Sequence, residues 1–214
     1  MKESISAKLA SVAAAACAAC LTAVLLSGCA SASPSEVVSS TLDAVKGQDT
    51  ETLATYYAGD SSEISGSGLS DLTGEFVSVD DMTEAERTAY DRLVAKMLDF
   101  DYTLGDEHVE GDTASVDVSF DSYDIGSAFV QSFSSYLGGA VAMAASGASS
   151  EDITDGFYRQ LSSDLDNLSD KTRTETTTIT LTKTDGQWKV DTLSEEAIDA
   201  VSGGLYSAVE QLGS

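Results

Sequence analysis

Between Leu9 and Leu26 the chain carries no charged residue. Ala, Val and Leu dominate this run, and it separates two stretches with different fates. Lys2 and Lys8 stand before it, partly offset by Glu3, and Ser27, Gly28 and Cys29 follow it. A positive start, an apolar middle and small residues at a cut site are the three parts of a secretory signal. The small residues are needed because a peptidase must fit an extended backbone into a narrow groove. Eighteen apolar residues could just span a bilayer as an uncleaved helix. Alanine is only weakly lipophilic, however, so a cleaved leader over residues 1–28 is the expectation, followed by a short linker at 29–33.

Leu26-Ser27-Gly28-Cys29 resembles a lipobox. The resemblance implies that a diacylglyceryl group is joined by a thioether to Cys29, and that cleavage falls directly before it. Membrane lipid is then the first expected partner, held through acyl chains such as palmitate. Burying those chains contributes about 0.8 kcal/mol per methylene, and two chains on one cysteine make attachment effectively permanent. The expected location is the cell membrane, on its extracytoplasmic face. Only Ala30 to Ser33 separate the lipid from the first helix signal. At about 3.4 Å per residue the domain would ride within roughly 14 Å of its attachment, so further partners are expected among envelope proteins or small ligands.

Loss of residues 1–28 leaves 186 of the 214 residues, enough for one domain with a substantial core. Lys2, Lys8 and Glu3 leave with the leader, taking the formal charge from −25 to −26. Nucleic acid is a poor partner for such a surface, because phosphate contact needs clustered Lys and Arg. Solubility outside the cell accounts for the acidity. Cys17 and Cys20 lie in the apolar leader, and no cysteine follows Cys29. The domain therefore has no disulfide, thiolate zinc site or cysteine nucleophile, and it must stand on its hydrophobic core.

Ser33-Pro34-Ser35-Glu36 predicts a helix start, with Ser33 as cap, Pro34 in the first turn and Glu36 reaching back. Val37, Val38, Leu42 and Val45 give that helix its apolar stripe, which Gly47 closes. Asp49 should cap a second short helix carrying Leu53, Tyr56 and Tyr57. Residues 59–74 are loop by composition. Thr83-Glu84-Ala85-Glu86 is another capping box, opening a helix with Tyr90, Leu93, Val94, Met97 and Leu98 on one face. The period then changes from helical spacing to alternation. Phe100, Tyr102 and Leu104 form one strand, and Ala114, Val116, Val118 and Phe120 a second beyond a turn at Gly111-Asp112. Residues 125–148 and 151–169 predict two helices. Strand character returns at Thr174–Thr184, and a turn at Asp185-Gly186 leads into Trp188 and Val190. Ser194 should cap one last helix with Ile198, Val201, Leu205, Val209 and Leu212. The Leu137–Ala148 stretch is apolar but too short to span a membrane. Gly138, Gly139 and Gly147 suit close packing in a core or interface helix.

Two helices after a lipobox, then "FDYTLGDEHVEGDTASVDVSF", then "TTITLTKTDGQWKVD", resemble the NTF2-like superfamily. More narrowly they resemble a lipoprotein domain of that type, of unknown function, common in Gram-positive bacteria. The likeness covers roughly Pro34 to Gly204 and rests on turns followed by alternating core residues. It implies an α+β domain over 34–214: a cone in which a curved antiparallel sheet packs on N-terminal helices and encloses a pocket. The helical region at about 125–169 is an insertion between strands, and a helix ends the chain. Some NTF2-like proteins are isomerases or dehydratases with an Asp or His base in the cone and tyrosine support.

Catalytic constellations are scarce by comparison. His108 is the only histidine, flanked by Glu107 and Val109 in an apparent turn. No GxSxG elbow favours any serine as nucleophile. Asp101 and Asp117 fall on the wet phase of their strands, which suits a solvated carboxylate better than a desolvated base. Asp164, Asp166, Asn167 and Asp170 have some of the spacing of a calcium loop but lack its turn glycine and terminal glutamate. No catalytic residue, metal site or cofactor is therefore assigned. Tyr102, Phe120, Tyr123 and Trp188 are the candidates to line a pocket for an apolar ligand, with plain core as their simpler role. The expected function is a non-enzymatic binding or accessory role at the cell envelope. The alternatives are an isomerase- or hydrolase-type enzyme using an Asp or Tyr in the cone, and a structural component of an envelope complex.

Overall fold

The computed structural model describes residues 31–59 and 82–213. The expected leader with Leu26, Ser27, Gly28 and Cys29, and most of the expected loop at 59–74, lie outside the described residues. The chain divides between Ala32 and Ser33, and every described helix and strand belongs to the unit from Ser33 onward. Among the described residues that unit is a mixed α+β fold of seven helices and an open, four-stranded antiparallel sheet, ordered β1-β2-β3-β4.

Helix α1 (Pro34–Gly47) begins with a complete capping box between Ser33 and Glu36. Its amide end is held further by Glu107, which accepts from the Ser35 amide at 3.0 Å and from the Ser35 hydroxyl. A carboxylate there satisfies an otherwise orphaned donor and meets the positive end of the helix dipole. Gln48, at φ 53°, is the left-handed residue that ends α1. The predicted closing residue, Gly47, is still helical. Asp49 caps α2 (Thr50–Tyr56) as expected. Tyr57 leaves the helix to bridge Val190, and the next amide, Ala58, donates to the Val190 carbonyl at 2.8 Å. The edge of the shortest strand is thereby covered. Helix α3 (Glu84–Leu98) opens on the predicted Thr83/Glu86 box.

Strands β1 (Asp101–Glu110) and β2 (Thr113–Ser122) form a hairpin whose register slips between Leu104 and Glu107. His108 lies within β1 opposite Ser115 and is exposed. The expectation of a turn there fails because the bulge restores pairing beyond Gly105. β3 (Arg173–Thr184) and β4 (Gln187–Val190) join through Asp185 (φ 53°) and Gly186 (φ 82°). Two consecutive positive φ values are what a two-residue hairpin turn needs to match strand twist.

Alternation makes the sheet two-faced. Val116, Val118 and Phe120 on β2, Leu181 on β3 and Val190 on β4 are completely buried, with Ile179 nearly so. Helix α1 packs on this face, burying Val37, Val38 and Leu42. At about 25 cal/mol per Å² of apolar area, this layer is a principal source of stability. The opposite face is polar. Thr178 donates to Asp117 at 2.8 Å, and Thr174 donates to Asp121.

Helices α4 (Ile125–Ala145) and α5 (Ser150–Asp166) lie between β2 and β3 in sequence, although those two strands pair directly. With α3 and Leu205 of the last helix they form a second core, to which Ala89, Leu93, Met97, Ile125, Leu161 and Leu165 contribute. Helices thus occupy the region predicted to be helical at about 125–169, ending slightly earlier at Asp166. Its main packing partners are helices: α4 lies against α5 and the last helix, and α5 against α3. Two contacts fix its direction. Thr83 at the start of α3 donates to Asp155 at 2.8 Å, and Arg92, just past its middle, meets Asp166 at 2.7 Å. Helices α3 and α5 are therefore parallel, and α3 delivers the chain to β1.

The apolar period predicts one long C-terminal helix, and two short ones occur: α6 (Glu195–Val201) and α7 (Leu205–Gly213). Gly203 and Gly204 between them hold φ 64° and 80°, which no continuous right-handed helix accepts. The break lets the Gly126 amide donate to the Gly203 carbonyl at 2.9 Å and Ser122 donate to the Ala200 carbonyl at 3.2 Å. Tertiary contact thus overrides a helical apolar period.

Candidate functional site

The four residues predicted to line a pocket do not converge. Phe120 is fully buried and meets Phe100 edge-on, with ring centroids 5.7 Å apart. Tyr102 reaches the same group, 6.3 Å from Phe100. Its hydroxyl donates to Asp43 at 2.8 Å and lies 2.9 Å from the Ser39 hydroxyl. Burial, with Asp43 adding to it against Ser39, raises the Tyr102 pKa and keeps the proton in place. Trp188 is buried on β4 beneath the Lys183 ammonium, 5.2 Å from its ring. Tyr123 belongs elsewhere, just past β2, with Lys96 only 3.9 Å from its ring centroid. Its hydroxyl donates to Asp99 at 3.0 Å, which raises its pKa. Phe120 and Trp188 are core, Tyr102 a half-buried strut, and Tyr123 part of a charged junction.

The calcium-like carboxylates also part company. Asp164 accepts from Ser132 and Gln160, Asp166 from Arg92, and Asp170 from Ser169. Helical geometry points Asp164 and Asp166 to different neighbours, and Asp170 lies beyond the end of α5. Among the described residues no group of three potential ligands is placed to hold a metal ion.

One concave feature among the described residues is a groove of about 400 Å³ between β3, α6 and α7. Glu175, Thr176 and Thr177 form its sheet side, and Glu195, Glu196, Asp199, Tyr206, Ser207 and Glu210 its helical side. Several of these carboxylates have structural duties. Ser194 caps α6, so Glu195 and Glu196 occupy its first turn, where the helix dipole favours negative charge. A backbone hydrogen bond and then the Ser194 hydroxyl lower the Glu196 pKa. Asp199 accepts from the Ser207 amide at 2.8 Å and its hydroxyl at 2.7 Å, pinning α7 to α6. Arg173 bridges Asp199 at 2.7 Å and Glu175. Burial, followed by Glu195 and Glu210, raises the Tyr206 pKa. The groove therefore offers negative charge and a protonated phenol, a setting for a cationic group. Its sequence signal is the pair of acids after Ser194, which predicts only a helix start. The chain fold at Ser202–Gly204, which brings Glu210 back towards Glu195, has no local signature.

The described unit is thus an α+β domain with an antiparallel four-stranded sheet. It superimposes on the crystal structure of a "putative lipoprotein (ycdA)" from Bacillus subtilis subsp. subtilis str. 168 with a TM-score of 0.52 and 16% sequence identity. The match covers 78% of this chain and 54% of that one, so this chain spans about half the length of the protein it matches. No protein-family model matches the chain, and no curated protein matches it. No helix among the described residues is long and apolar enough to cross a membrane.

Proposed function

We propose that the protein is a lipoprotein, anchored through acylated Cys29 on the extracytoplasmic face of a membrane, with a non-enzymatic binding or accessory role at the cell envelope. The observation that carries this is the junction of two features. Leu26-Ser27-Gly28-Cys29 follows an uncharged run, and four residues later begins a domain whose fold is shared with a protein described as a lipoprotein. Within this proposal, residues 1–28 are a cleaved signal and 29–33 a tether. The domain is NTF2-like, with α1 and α2 against the buried sheet face and α4–α5 as its insertion.

The binding role rests on how the polar groups are used. Asp164, Asp199, Asp117 and Asp121 each accept hydrogen bonds that hold the fold together. Tyr102 and Tyr123 donate hydrogen bonds from their hydroxyls to carboxylates. Acids and phenols committed in this way serve architecture better than proton transfer. Anchoring is tested by metabolic labelling with a palmitate analogue in cells making the full chain. Labelled, membrane-bound protein beginning at Cys29 is the expected result. A Cys29→Ala chain that is still processed and still membrane-bound would contradict the proposal.

A further inference from the structure

The chain from Ile125 to Ser150 holds no charged residue, although the whole chain has a formal charge of −25. Helix α4 occupies most of this stretch, and its outer face is not buried in the domain. Leu137 is 54% and Val141 76% exposed, while Gly138, Ala142, Ala144 and Ala145 are exposed beside them. A Cβ added at Gly138 or Gly139 would meet nothing within 4 Å. The predicted core or interface helix is therefore core on one side only, through Ile125, Ala128 and Ser132. Exposing large apolar side chains costs a soluble protein solubility, and a contiguous patch marks a contact surface.

We propose that this face of α4 receives the same face of a second copy of the chain. Two features favour a copy over other occupants. First, any two such domains repel over most of their surfaces, and here they can approach without bringing carboxylates together. Second, the face is self-complementary. Ser134, Gly138, Val141 and Ala145 recur at spacings of four, three and four, the seam of a paired helix. An antiparallel pair about a two-fold axis midway between Gly139 and Ala140 sets Val141 of one copy level with Gly138 of the other. It also sets Ser134 level with Ala145. A projection thus meets a hollow, and the relation is reciprocal, as a two-fold interface requires.

A bilayer fits this face less well. The chain enters the domain at Ser33–Ser35, beside Glu107, which lies between the ends of the β1–β2 hairpin. Helix α4 starts after Ser122, at the other end of β2. The parallel course of α3 and α5 carries the tip between α4 and α5 away from the sheet. The exposed face is therefore remote from the end where the chain enters.

Disulfide trapping of the full chain tests this, because no cysteine follows Cys29. Cells making a Gly138→Cys/Val141→Cys variant are treated with a mild oxidant and resolved without reductant. A band at twice the monomer mass, several-fold stronger than from a Thr178→Cys control on the polar sheet face, is the expected result. Adding Leu137→Asp should reduce that band several-fold, with unchanged protease resistance showing that the fold survives. Equal trapping by the control, or none by either, overturns the proposal. So does a monomer whose position-141 cysteine is shielded from an aqueous maleimide only when vesicles are present. Fractionation of the same cells reads anchoring separately, so a dimer in the soluble fraction would support this interface while refuting the lipid anchor.

Discussion

The Ser132 hydroxyl lies 2.6 Å from a carboxylate oxygen of Asp164, tying α4 to α5 at a point where Ser132 is completely buried. Gln160 donates to the other oxygen at 2.9 Å. A hydrogen bond to a charged acceptor is stronger than a neutral one, and its loss leaves a partly desolvated carboxylate. Ser132→Ala should therefore destabilise the domain by about 1–3 kcal/mol, measured as a lower urea midpoint with an unchanged slope. A loss below about 0.5 kcal/mol would mean that the pair is solvated in practice.

Gly126 and Gly147 should both lose stability on substitution by alanine, to different extents and for different reasons. A Cβ on Gly126 would sit 2.2 Å from the Gly204 carbonyl oxygen, within the backbone contact that breaks the C-terminal helix. Backbone cannot yield as a flexible side chain does, so Gly126→Ala should cost about 3 kcal/mol, at the upper end of overpacking. Gly147 has φ 88° but open space around its Cβ position. Gly147→Ala should cost only the left-handed backbone penalty of about 1–2 kcal/mol. Paired urea titrations check the order.

Lys171 predicts a stability profile with two edges. Its ammonium lies 2.9 Å from Asp99 and 2.8 Å from Asp101. The hydrogen bond from Lys171, and secondarily that from Tyr123, lowers the Asp99 pKa against a smaller effect of burial. A lowered carboxylate pKa gives stability that is present above the unfolded value near 4 and is lost as pH falls through the folded value. For Lys171, burial acts downwards, but hydrogen bonds to Asp101 and Asp99 outweigh it and raise the pKa. Its contribution is full below about pH 10 and is lost as pH rises through the raised value. Lys171→Met should cost about 1 kcal/mol at pH 7, as expected where the partner carboxylates are exposed, and should flatten both edges. Thermal midpoints from pH 3 to 11 provide the check.

Phe120→Ala should cost about 3–5 kcal/mol, the range for emptying a buried aromatic site. Tyr102→Phe, which removes the hydroxyl bonded to Asp43 and leaves the ring, should cost about 1 kcal/mol. If Phe120 lined a working pocket, its truncation would be cheap, because the space would already exist. Chemical denaturation of both variants distinguishes these cases.

Much of this architecture is written locally. A serine or threonine cap answered three residues later by glutamate specifies α1 and α3, because both partners lie within one turn of chain. The alternation through Val116, Val118 and Phe120 specifies β2 and its buried face, since side chains on a strand change sides at every residue. The Asp185-Gly186 turn likewise needs nothing beyond its own dihedral angles.

Tertiary structure decided what depends on distant partners. The C-terminal apolar period continues through Gly203, but close packing of Gly126 and Tyr123 on that segment makes two helices of one. His108 became a strand residue because β2 pairs past a bulge. Tyr123 left the aromatic candidates because Lys96 of α3 lies over its ring and Asp99 accepts from its hydroxyl. Above all, the sequence displayed α4 as apolar throughout, and composition cannot say which side of an apolar helix finds a neighbour. Only the packing of α4 against α5 and α7 fixes which face is covered, and it leaves Leu137 and Val141 in water.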